Sequence, residues 1–378
     1  MDGIICIYKE KDVTSFDVVA QVRRIFDTKK AGHGGTLDPM AEGVLPIFLG
    51  NATKAVDFCP DNTKQYLAGF RFGLTTDTQD ITGNVLTTDP RYVSRNKMIL
   101  IERWFKGEMM QTPPMYSAVK VDGQRLYDLA RQGKEVERRP RPITVYDLKI
   151  QSYEDNVGEM LVTCSKGTYI RTLIHDIGVR METGAVMTSL VRTRSGIFRL
   201  ENCYKLGDLV GKAPEELEKL LMPLEKLYET MPKAHLDEEQ TRLFRNGAVL
   251  DADRIRFDTI QDKGYYIEGA DGVFLGLGKI GSEHKLEVLR RFNTGGQEIH
   301  DTPQVQDVRI AEPVQDAPIA QPVQDIQEDQ PVQDNQDDQP VQDTQDIQDT
   351  PDTQDTQFTE LAEDTPEEQD EQAVQEQT

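Results

Sequence analysis

Two spacings of apolar side chains recur along the first 200 residues. Apolar and polar positions that alternate one by one predict β-strands, whereas apolar positions three or four residues apart predict helices with one buried face. The predicted elements are, in chain order within each type, strands at 4–8, 44–50, 66–72, 160–164 and 189–198 and helices at 15–26, 98–105, 126–131 and 168–180. Strands and helices do not alternate strictly, so the pattern favours an α+β fold over a doubly wound parallel sheet.

Local chemistry refines several of these elements. The helix at 15–26 has Thr14 or Ser15 as its expected N-cap. Its predicted buried face consists of Phe16, Val19, Val22 and Phe26. The strand at 44–50 contains Pro46, which lacks an N–H donor and therefore predicts that the strand lies at an edge of the sheet or at an entry point. Two prolines within residues 111–118 exclude a helix there.

The rest of the chain divides into three parts. Residues 214–227 form an amphipathic connector rich in Glu and Leu. Between 231 and 296, short strand patterns at 272–275 and 286–288, with glycine turns, predict a small β module. Residues 297–378 contain one aromatic residue and repeat a Pro-Val-Gln-Asp unit every nine residues from Pro313. Such a segment buries too little apolar surface to offset the entropy of ordering, so we predict that it is disordered.

The net charge of −23 is unevenly distributed over the 378 residues. Residues 297–378 carry 24 acidic residues and one basic residue, so residues 1–296 are neutral as a whole. Within that neutral part, residues 120–141 hold seven basic and four acidic side chains. Nucleic-acid binding depends on local basic patches, so the acidic average does not exclude an RNA partner. A run of charge also occurs on ordinary solvated surfaces, and both interpretations stay open at this point.

Several classes of protein are excluded by what the sequence lacks. No stretch approaches the roughly 20 apolar residues of a membrane span. The N-terminus has neither the basic region nor the long apolar region of a signal peptide. The four cysteines, at 6, 59, 164 and 203, lie too far apart for a zinc motif, and the five histidines add no ligand pair. We therefore expect a cytoplasmic protein with reduced thiols, no metal and no membrane association.

The segment GHGGTLDP, residues 32–39, places three glycines and a histidine ahead of an Asp-Pro pair. Glycines at this density predict a tight, exposed loop that another backbone or a ligand can approach closely. The segment lacks the Gly-Lys-Ser/Thr of a phosphate loop and the third glycine of a dinucleotide fingerprint, so we expect no nucleotide cofactor. Asp38 has two compatible interpretations: it caps a helix whose first residue is Pro39, or it presents a carboxylate to a cleft.

Four separate blocks of sequence resemble successive motifs of the TruB family of tRNA pseudouridine synthases, over about residues 3–200. The blocks are GHGGTLDPMAEGVLPIFLGNATK, KQYLAGFRFGLTTDTQDITG, QTPPMYSAVKVDGQRLYDLARQGKEVERRPR and SKGTYIRTLIHDIG. The resemblance implies a pseudouridine synthase fold, with a mixed, largely antiparallel sheet flanked by helices. It also implies a synthase domain at 1–230 with a basic, thumb-like segment at about 108–145, and a PUA-like RNA-binding module at 231–296. The acidic tail at 297–378 is an addition to that plan.

The same resemblance implies an activity and a set of site residues. The family isomerises the T-loop uridine of tRNA, uridine 55, by flipping the base out, breaking the N-glycosidic bond and rejoining the base through carbon, without a cofactor. The implied catalytic residues are Asp38, Tyr66 and Arg171, with Arg171 paired to Asp38 and Tyr66 stacked on the base. The implied substrate-binding residues are His33, Tyr169, Leu190, Lys9 and Lys54. The implied partner is the T-arm of tRNA, bound by a monomer without guide RNA.

One departure from the family pattern lies beside Lys9. Where the family has Lys-Pro-x-Gly, this chain has Lys9, Glu10, Lys11 and Asp12. Aspartate adopts the left-handed conformation more readily than most residues, so we expect the turn at Asp12 to form without glycine.

Two alternative functions would use the same residues differently. A tRNA-binding chaperone without chemistry would not need Asp38, Tyr66 and Arg171 intact. A hydrolase that cleaves the N-glycosidic bond would need an activated water, often through a second carboxylate, and the sequence offers no convincing partner for Asp38. The expected function is therefore the synthase.

Overall fold

The computed structural model describes residues 1–121, 123–260, 264–281 and 283–292. The disorder predicted for residues 297–378 lies outside the described residues. The helices are α1 (Ser15–Ile25), α2 (Lys97–Trp104), α3 (Leu126–Arg131), α4 (Ile170–Arg180), α5 (Pro214–Glu218) and α6 (Glu238–Arg245). Short 3₁₀ segments cover Gly50–Phe58, Leu200–Asn202, Leu206–Asp208, Leu224–Tyr228 and Ala252–Arg254.

Within the described residues, the strands form two larger sheets and two small hairpins. In the N-terminal part they are β1 (Gly3–Lys9), β2 (Ala31–His33), β3 (Glu42–Leu49), β4 (Lys64–Phe72), β5 (Leu74–Thr76), β6 (Val85–Thr88), β7 (Gly107–Gln111), β8 (Lys120–Val121), β9 (Gln124–Arg125), β10 (Arg141–Glu154), β11 (Val157–Cys164), β12 (Ala185–Ser195) and β13 (Phe198–Arg199). In the C-terminal part they are β14 (Lys233–His235), β15 (Leu250–Asp251), β16 (Arg256–Phe257), β17 (Tyr265–Glu268), β18 (Phe274–Ile280) and β19 (Lys285–Arg291).

The larger sheet has the strand order β1-β3-β12-β4-β11-β10-β7, with β2 beside β3 and β13 beside β12. Its neighbours are antiparallel except β3 and β12, which run parallel over a short contact. The expected mixed, largely antiparallel sheet is therefore confirmed, as is the α+β class. Helices α2 and α4 cover one face through an apolar cluster that includes Phe70, Ile101 and Leu173. Helix α1 packs against β1 and β3 in a second cluster.

The N-terminus of α1 confirms one prediction and corrects another. Thr14 is the N-cap, and its side chain accepts from the backbone N–H of Asp17. Phe16, however, is 68% exposed, so its assignment to the buried face was wrong. The inward position in the first turn belongs to Ser15, whose hydroxyl donates to the carbonyl of Leu37 and so turns Phe16 towards solvent. The buried face instead consists of Val18, Val19, Val22 and Phe26.

One expectation about strands is corrected, and one long strand was not predicted. Pro46 does not mark an edge, because β3 lies between β1 on one side and β2 and β12 on the other. The Pro46 carbonyl accepts a hydrogen bond from Gly34 N at 2.8 Å. Pro46 therefore takes part in the backbone hydrogen bonding through its carbonyl, although it has no N–H to donate. Strand β10 was not predicted, because register shifts after Val145 and Ile150 interrupt the alternation of its apolar side chains.

The C-terminal sheet has the order β15-β19-β18-β17-β14-β16, which confirms a β-rich module. The module has its own apolar cluster, built around Phe244, Tyr265 and Ile267. A further cluster joins Phe274 of β18 to Phe48 of β3 through the 3₁₀ segment Leu224–Tyr228. The module therefore packs on the larger sheet through a shared apolar layer, and the boundary at 230/231 stays a prediction.

Candidate active site

A cavity of about 360 Å³ opens where the β2–β3 loop, β4, β12 and the start of α4 meet. Its lining combines polar and apolar side chains with loop backbone. The lining residues are Gly34, Gly35, Thr36, Leu37, Asp38, Val56, Asp57, Asn62, Lys64, Tyr66, Ser117, Ala118, Lys166, Gly167, Thr168, Tyr169, Ile170, Arg171, Leu190 and Arg192. Several residues singled out in the sequence thus border one space.

Asp38 lies in the β2–β3 loop and not at the start of a helix. A turn follows it, in which Ala41 N donates to the Asp38 carbonyl at 3.0 Å, and β3 then begins at Glu42. The helix-capping interpretation of Asp38 and Pro39 was therefore wrong. The Asp38 side chain is 37% exposed, so its carboxylate is accessible from the cavity.

Buried groups beneath the loop hold Asp38 in place. The Ser15 hydroxyl bonds to the backbone of Leu37 in both directions, at 2.9 and 3.1 Å. The Lys9 ammonium donates to the carbonyls of Pro39 at 3.0 Å and Ala41 at 2.6 Å. A glycine-rich loop would otherwise retain many conformations, so these bonds on both sides of Asp38 fix the direction of its carboxylate.

Arg171 supplies the counter-charge for Asp38, with Nε 2.8 Å from Oδ2. One terminal nitrogen of the guanidinium donates to the carbonyl of Thr78, and the other donates to that of Tyr116, each at 2.9 Å. Asp80 lies on the far side, 3.7 Å from the first of these nitrogens. The guanidinium is only 5% exposed, so it is a fixed cation and not a mobile surface charge.

Tyr66 lies on β4 directly opposite Arg192 on β12. The ring is 8% exposed and borders the cavity. Burial raises the pKa of the Tyr66 phenol, and the Arg192 guanidinium partly opposes that rise. The phenol is therefore protonated at neutral pH and can serve as a hydrogen-bond donor or an aromatic surface.

Arg192 was missed among the site residues by the sequence analysis. Its Nε donates to the Val44 carbonyl at 2.7 Å, and a terminal nitrogen donates to the Gly35 carbonyl at 3.0 Å, so it ties β12 to β3 and to the glycine loop. The residue is almost fully buried. Its position two residues after Leu190 on a predicted strand would have placed it on the same face, because side chains alternate along a strand.

Tyr169 and Leu190 complete the wall of the cavity. Tyr169 is the residue before α4, and its backbone N–H and carbonyl both bond to the Gln111 side-chain amide, at 2.8 and 3.0 Å. This clamp fixes the start of α4, which carries Arg171 as its second residue. Gln111 was also missed, because no local pattern marks a residue whose role is to hold a distant backbone.

Three predicted substrate-binding residues do not border the cavity. The ammonium of Lys9 is completely buried beneath the loop, where burial lowers its pKa to about 8 and Asp38 opposes that shift. His33 lies half-buried on β2, its Nδ1 accepts from Gly35 N at 3.3 Å, and burial and Arg192 lower its pKa. Lys54 lies on the 3₁₀ segment Gly50–Phe58. The structure thus gives Lys9 a supporting position under the loop and brings neither His33 nor Lys54 to the cavity wall.

The departure at Asp12 leaves the local turn intact. Asp12 adopts a φ of 65°, in the left-handed region, and its N–H donates to the Pro39 carbonyl at 2.9 Å. The turn expected without glycine is therefore confirmed. It adds a further support to the loop that carries Asp38.

The described residues offer few sites for other chemistry. They contain no group of three or more His, Cys, Asp or Glu side chains arranged to hold a metal ion. Among the described helices, none has the length and apolar character needed to cross a membrane. The cavity itself can hold a flat aromatic ring against Tyr66 and Leu190, beside a carboxylate whose direction and counter-charge are fixed.

Two family models match consecutive parts of the chain. The model described as TruB family pseudouridylate synthase (N terminal domain) matches residues 23–170. The model described as tRNA pseudouridylate synthase B C-terminal domain matches residues 171–229. Together they span the cavity and both members of the Asp38–Arg171 pair.

Similar proteins cover the same region and continue into the β module. The tRNA pseudouridine synthase B of Clostridium perfringens strain 13 is 45% identical over 295 residues, which are 76% of this chain and 99% of that protein. The enzyme of the same name from Clostridium tetani is 42% identical over 280 residues, covering 74% of this chain and 96% of that protein. Among solved structures, a Cbf5-Nop10-Gar1 complex contains a chain with 30% identity and a TM-score of 0.60, covering 76% of this chain and 84% of that one.

Proposed function

The chain belongs to the TruB family of tRNA pseudouridine synthases, and on that premise we propose that it isomerises the T-loop uridine of tRNA, uridine 55, to pseudouridine. The observation that carries the proposal is the contact of 2.8 Å between Asp38 and Arg171 at the wall of a cavity that Tyr66 also lines. This geometry provides a carboxylate of fixed direction next to a surface on which a base can stack. The implied catalytic residues Asp38, Tyr66 and Arg171 remain part of the proposal.

The target uridine must leave the T-loop stack before it can enter the cavity. Its uracil would lie between Tyr66 and Leu190, with the ribose facing Asp38. The N-glycosidic bond then breaks and the same uracil is rejoined to the ribose through carbon, so no atom is gained or lost. Asp38 acts either as a nucleophile or as the base that removes a ribose proton, and both roles need the orientation that Arg171 maintains.

Tyr66 and Arg192 support the proposed reaction from the opposite wall. Tyr66 would stack on the uracil, and its protonated phenol can take part in a later proton transfer. Arg192 holds the glycine loop through the Gly35 carbonyl and so keeps Tyr66 and the loop at a constant separation. Tyr169 would contact the ribose or base from the start of α4.

The remainder of the proposal concerns the RNA outside the cavity. The basic segment at about 108–145 would contact phosphates of the T-arm, and the module at 231–296 would bind RNA as a PUA-like domain. His33 and Lys54 would meet RNA beyond the cavity wall, and Lys9 would act through the loop. We propose that the enzyme works in the cytoplasm as a monomer on tRNA, without guide RNA and without a cofactor.

The test uses the full chain, an unmodified tRNA transcript and the variant Asp38→Asn. We expect the wild type to convert the T-loop uridine with no change of RNA mass, and Asp38→Asn to bind the transcript within about threefold of wild type without converting it. Pseudouridine is mapped by chemical derivatisation and primer extension. Binding without conversion by the wild type would favour a silent tRNA chaperone. Release of free uracil would identify a hydrolase.

A further inference from the structure

A lysine on β4 borders the cavity and has no part in the chemistry proposed above. Lys64 precedes Tyr66 by two residues, so both side chains lie on the same face of the strand, about 6.6 Å apart along it. Lys64 lines the catalytic cavity and also a second space of about 20 Å³ behind it. Its Nζ donates to the Ser195 hydroxyl at 2.7 Å. The ammonium is therefore held at the junction of the two spaces.

The surroundings of Lys64 provide no directly paired counter-charge, although Asp61 and the thiols of Cys59 and Cys164 partly oppose the lowering of its pKa. Among the described residues, no carboxylate forms an ion pair with its ammonium. Asp61, the closest acidic residue in sequence, accepts from Arg194 at 2.8 Å and from Thr63 N at 2.8 Å. Burial and the nearby Arg192 guanidinium lower the pKa of Lys64 to about 8. A partly buried cation with a second cation beside it is unfavourable until an anion arrives.

The other basic side chains at the cavity are less suited to receive an anion from substrate. Arg171 is occupied by Asp38 and by two backbone carbonyls, and Arg192 is occupied by the carbonyls of Val44 and Gly35. Lys166 is exposed to solvent at the rim. Among the cations of the described cavity lining, Lys64 is therefore the half-buried one that forms no ion pair and whose ammonium donates to a side-chain hydroxyl instead of a backbone carbonyl.

We propose that Lys64 binds a phosphodiester that flanks the flipped uridine and so sets the depth at which the nucleotide enters the cavity. The inference rests on the proposed function, because it assumes a nucleotide with its uracil on Tyr66 and its ribose at Asp38. The phosphates of a nucleotide are attached to its ribose, and Lys64, Asp38 and Tyr66 line the same cavity. The Ser195 hydroxyl orients the ammonium, which acts as a point charge towards the phosphate oxygens. Lys64 is in this role a positioning residue.

The proposal predicts a dependence of RNA affinity on pH. The free protein carries a Lys64 ammonium below about pH 8 and loses it above that pH. A phosphate binds the ammonium and not the amine, so affinity for RNA should decline as pH rises through this region. The variant Lys64→Arg keeps its charge throughout and should not show the decline.

The decisive experiment combines variants of the protein with a neutralised phosphate in the RNA. Kd is measured for a T-arm hairpin RNA, and for hairpins carrying a single methylphosphonate on the 5′ or the 3′ side of the target uridine. We expect Lys64→Met to bind the unmodified hairpin about tenfold more weakly than wild type does. The two proteins should bind one of the methylphosphonate hairpins equally, because that hairpin already lacks the phosphate charge that Lys64 contacts. KM should rise more than kcat falls. Lys149→Gln, an exposed lysine near Asp147, is the matched control and should weaken all three hairpins equally or not at all.

The outcomes separate this proposal from the proposed function. If Lys64→Met weakens the unmodified and both methylphosphonate hairpins by the same factor, Lys64 does not meet a flanking phosphate and the proposal is overturned, while conversion by the wild type still supports the synthase. If the wild type converts no uridine, the proposed function fails, and the Kd comparison still decides whether Lys64 contacts a phosphate. Thermal melts of Lys64→Met and Lys64→Arg establish that both variants are folded.

Discussion

Nε of Arg171 lies 2.8 Å from Oδ2 of Asp38, and the remaining edges of the same guanidinium are held by the carbonyls of Thr78 and Tyr116. The cation therefore has one orientation before any substrate arrives. A pre-oriented charge loses no energy to reorganisation when charge develops in the substrate. Asp80, 3.7 Å away, adds a second negative charge that keeps the arginine in place.

Replacement of this guanidinium by an ammonium tests the value of its geometry. Arg171→Lys keeps one positive charge but cannot bond Asp38, Thr78 and Tyr116 at once, so Asp38 loses its fixed direction. We expect the single-turnover rate on tRNA transcript to fall by at least about 100-fold, with Kd changed by less than about threefold. A rate within tenfold of wild type would show that charge alone suffices. Arg91→Lys, at an exposed arginine, is the control.

The Ser117 hydroxyl is a candidate contact for the substrate. Ser117 is 6% exposed and lines the cavity, and within the described part of the chain its hydroxyl has no hydrogen-bond partner. Buried hydroxyls are normally paired, so we predict that bound nucleotide supplies the partner. Ser117→Ala should raise KM about two- to tenfold with kcat nearly unchanged.

The matched control for Ser117 is Ser189→Ala. Ser189 is exposed on β12, next to Leu190 but outside the cavity lining. Equal kinetics for Ser117→Ala and wild type would show that the hydroxyl does not face the nucleotide. Melting curves of both variants exclude a loss of folded protein as the cause.

The corrected face of α1 leads to opposite expectations for two apolar residues. Phe16 is 68% exposed, so Phe16→Ala should change the free energy of unfolding by less than about 0.5 kcal/mol. Val22 is fully buried between α1 and the sheet, so Val22→Ala should lower that free energy by about 2 kcal/mol. Urea denaturation of the two variants measures both values. A larger loss from Phe16→Ala would restore the original assignment of the buried face.

Replacement of Asp176 on α4 by asparagine should stabilise the fold to an extent that depends on pH. Burial raises the pKa of Asp176 from 3.8 to about 6. Between these values the native state binds more protons than the unfolded state, so the contribution of Asp176 to stability declines as pH rises through that window. Above about pH 6 the full penalty of the buried carboxylate is present. Asp176→Asn should therefore be more stable than wild type at pH 7.5, by the order of 1 kcal/mol after allowance for partial exposure.

The same comparison at lower pH supplies the check. At pH 4 the native carboxyl is protonated, so the advantage of Asp176→Asn over wild type should nearly vanish. Thermal melts at pH 4, 5, 6 and 7.5 follow the difference. An advantage that is constant with pH would exclude ionisation of Asp176 as its source. Asp155→Asn, at an exposed turn, should show no such trend.

Local patterns were sufficient where one element could be recognised from its own residues. Thr14 caps α1 because its hydroxyl reaches an N–H three residues ahead, and this spacing is visible in the sequence. Alternation of Tyr66, Ala68, Phe70 and Phe72 identified β4, because each of these side chains is buried on the same face. Ordered motifs likewise identified the Asp38 loop and the family from the sequence alone.

Contacts between distant segments could not be predicted in the same way. Lys9 supports the Asp38 loop through carbonyls that lie 30 and 32 residues further along the chain. The role of Arg192 likewise depends on β12 lying beside β3. The family resemblance implied that Lys9 binds substrate, whereas its complete burial under the loop becomes visible only in the structure. Strand β10 escaped prediction because its bulges break the spacing on which strand prediction relies.

The sequence by itself determined the family, the order of most elements in the first 200 residues and the identity of the carboxylate, the arginine and the tyrosine at the centre of the site. These features depend on residue type and on spacing over a few positions. Tertiary structure alone decided that Asp38 faces a cavity instead of capping a helix, that Lys9 lies under the loop, and that Lys64 borders the cavity without an ion-pair partner among the described residues. Burial and charge balance arise only when remote segments pack together, so no local pattern records them.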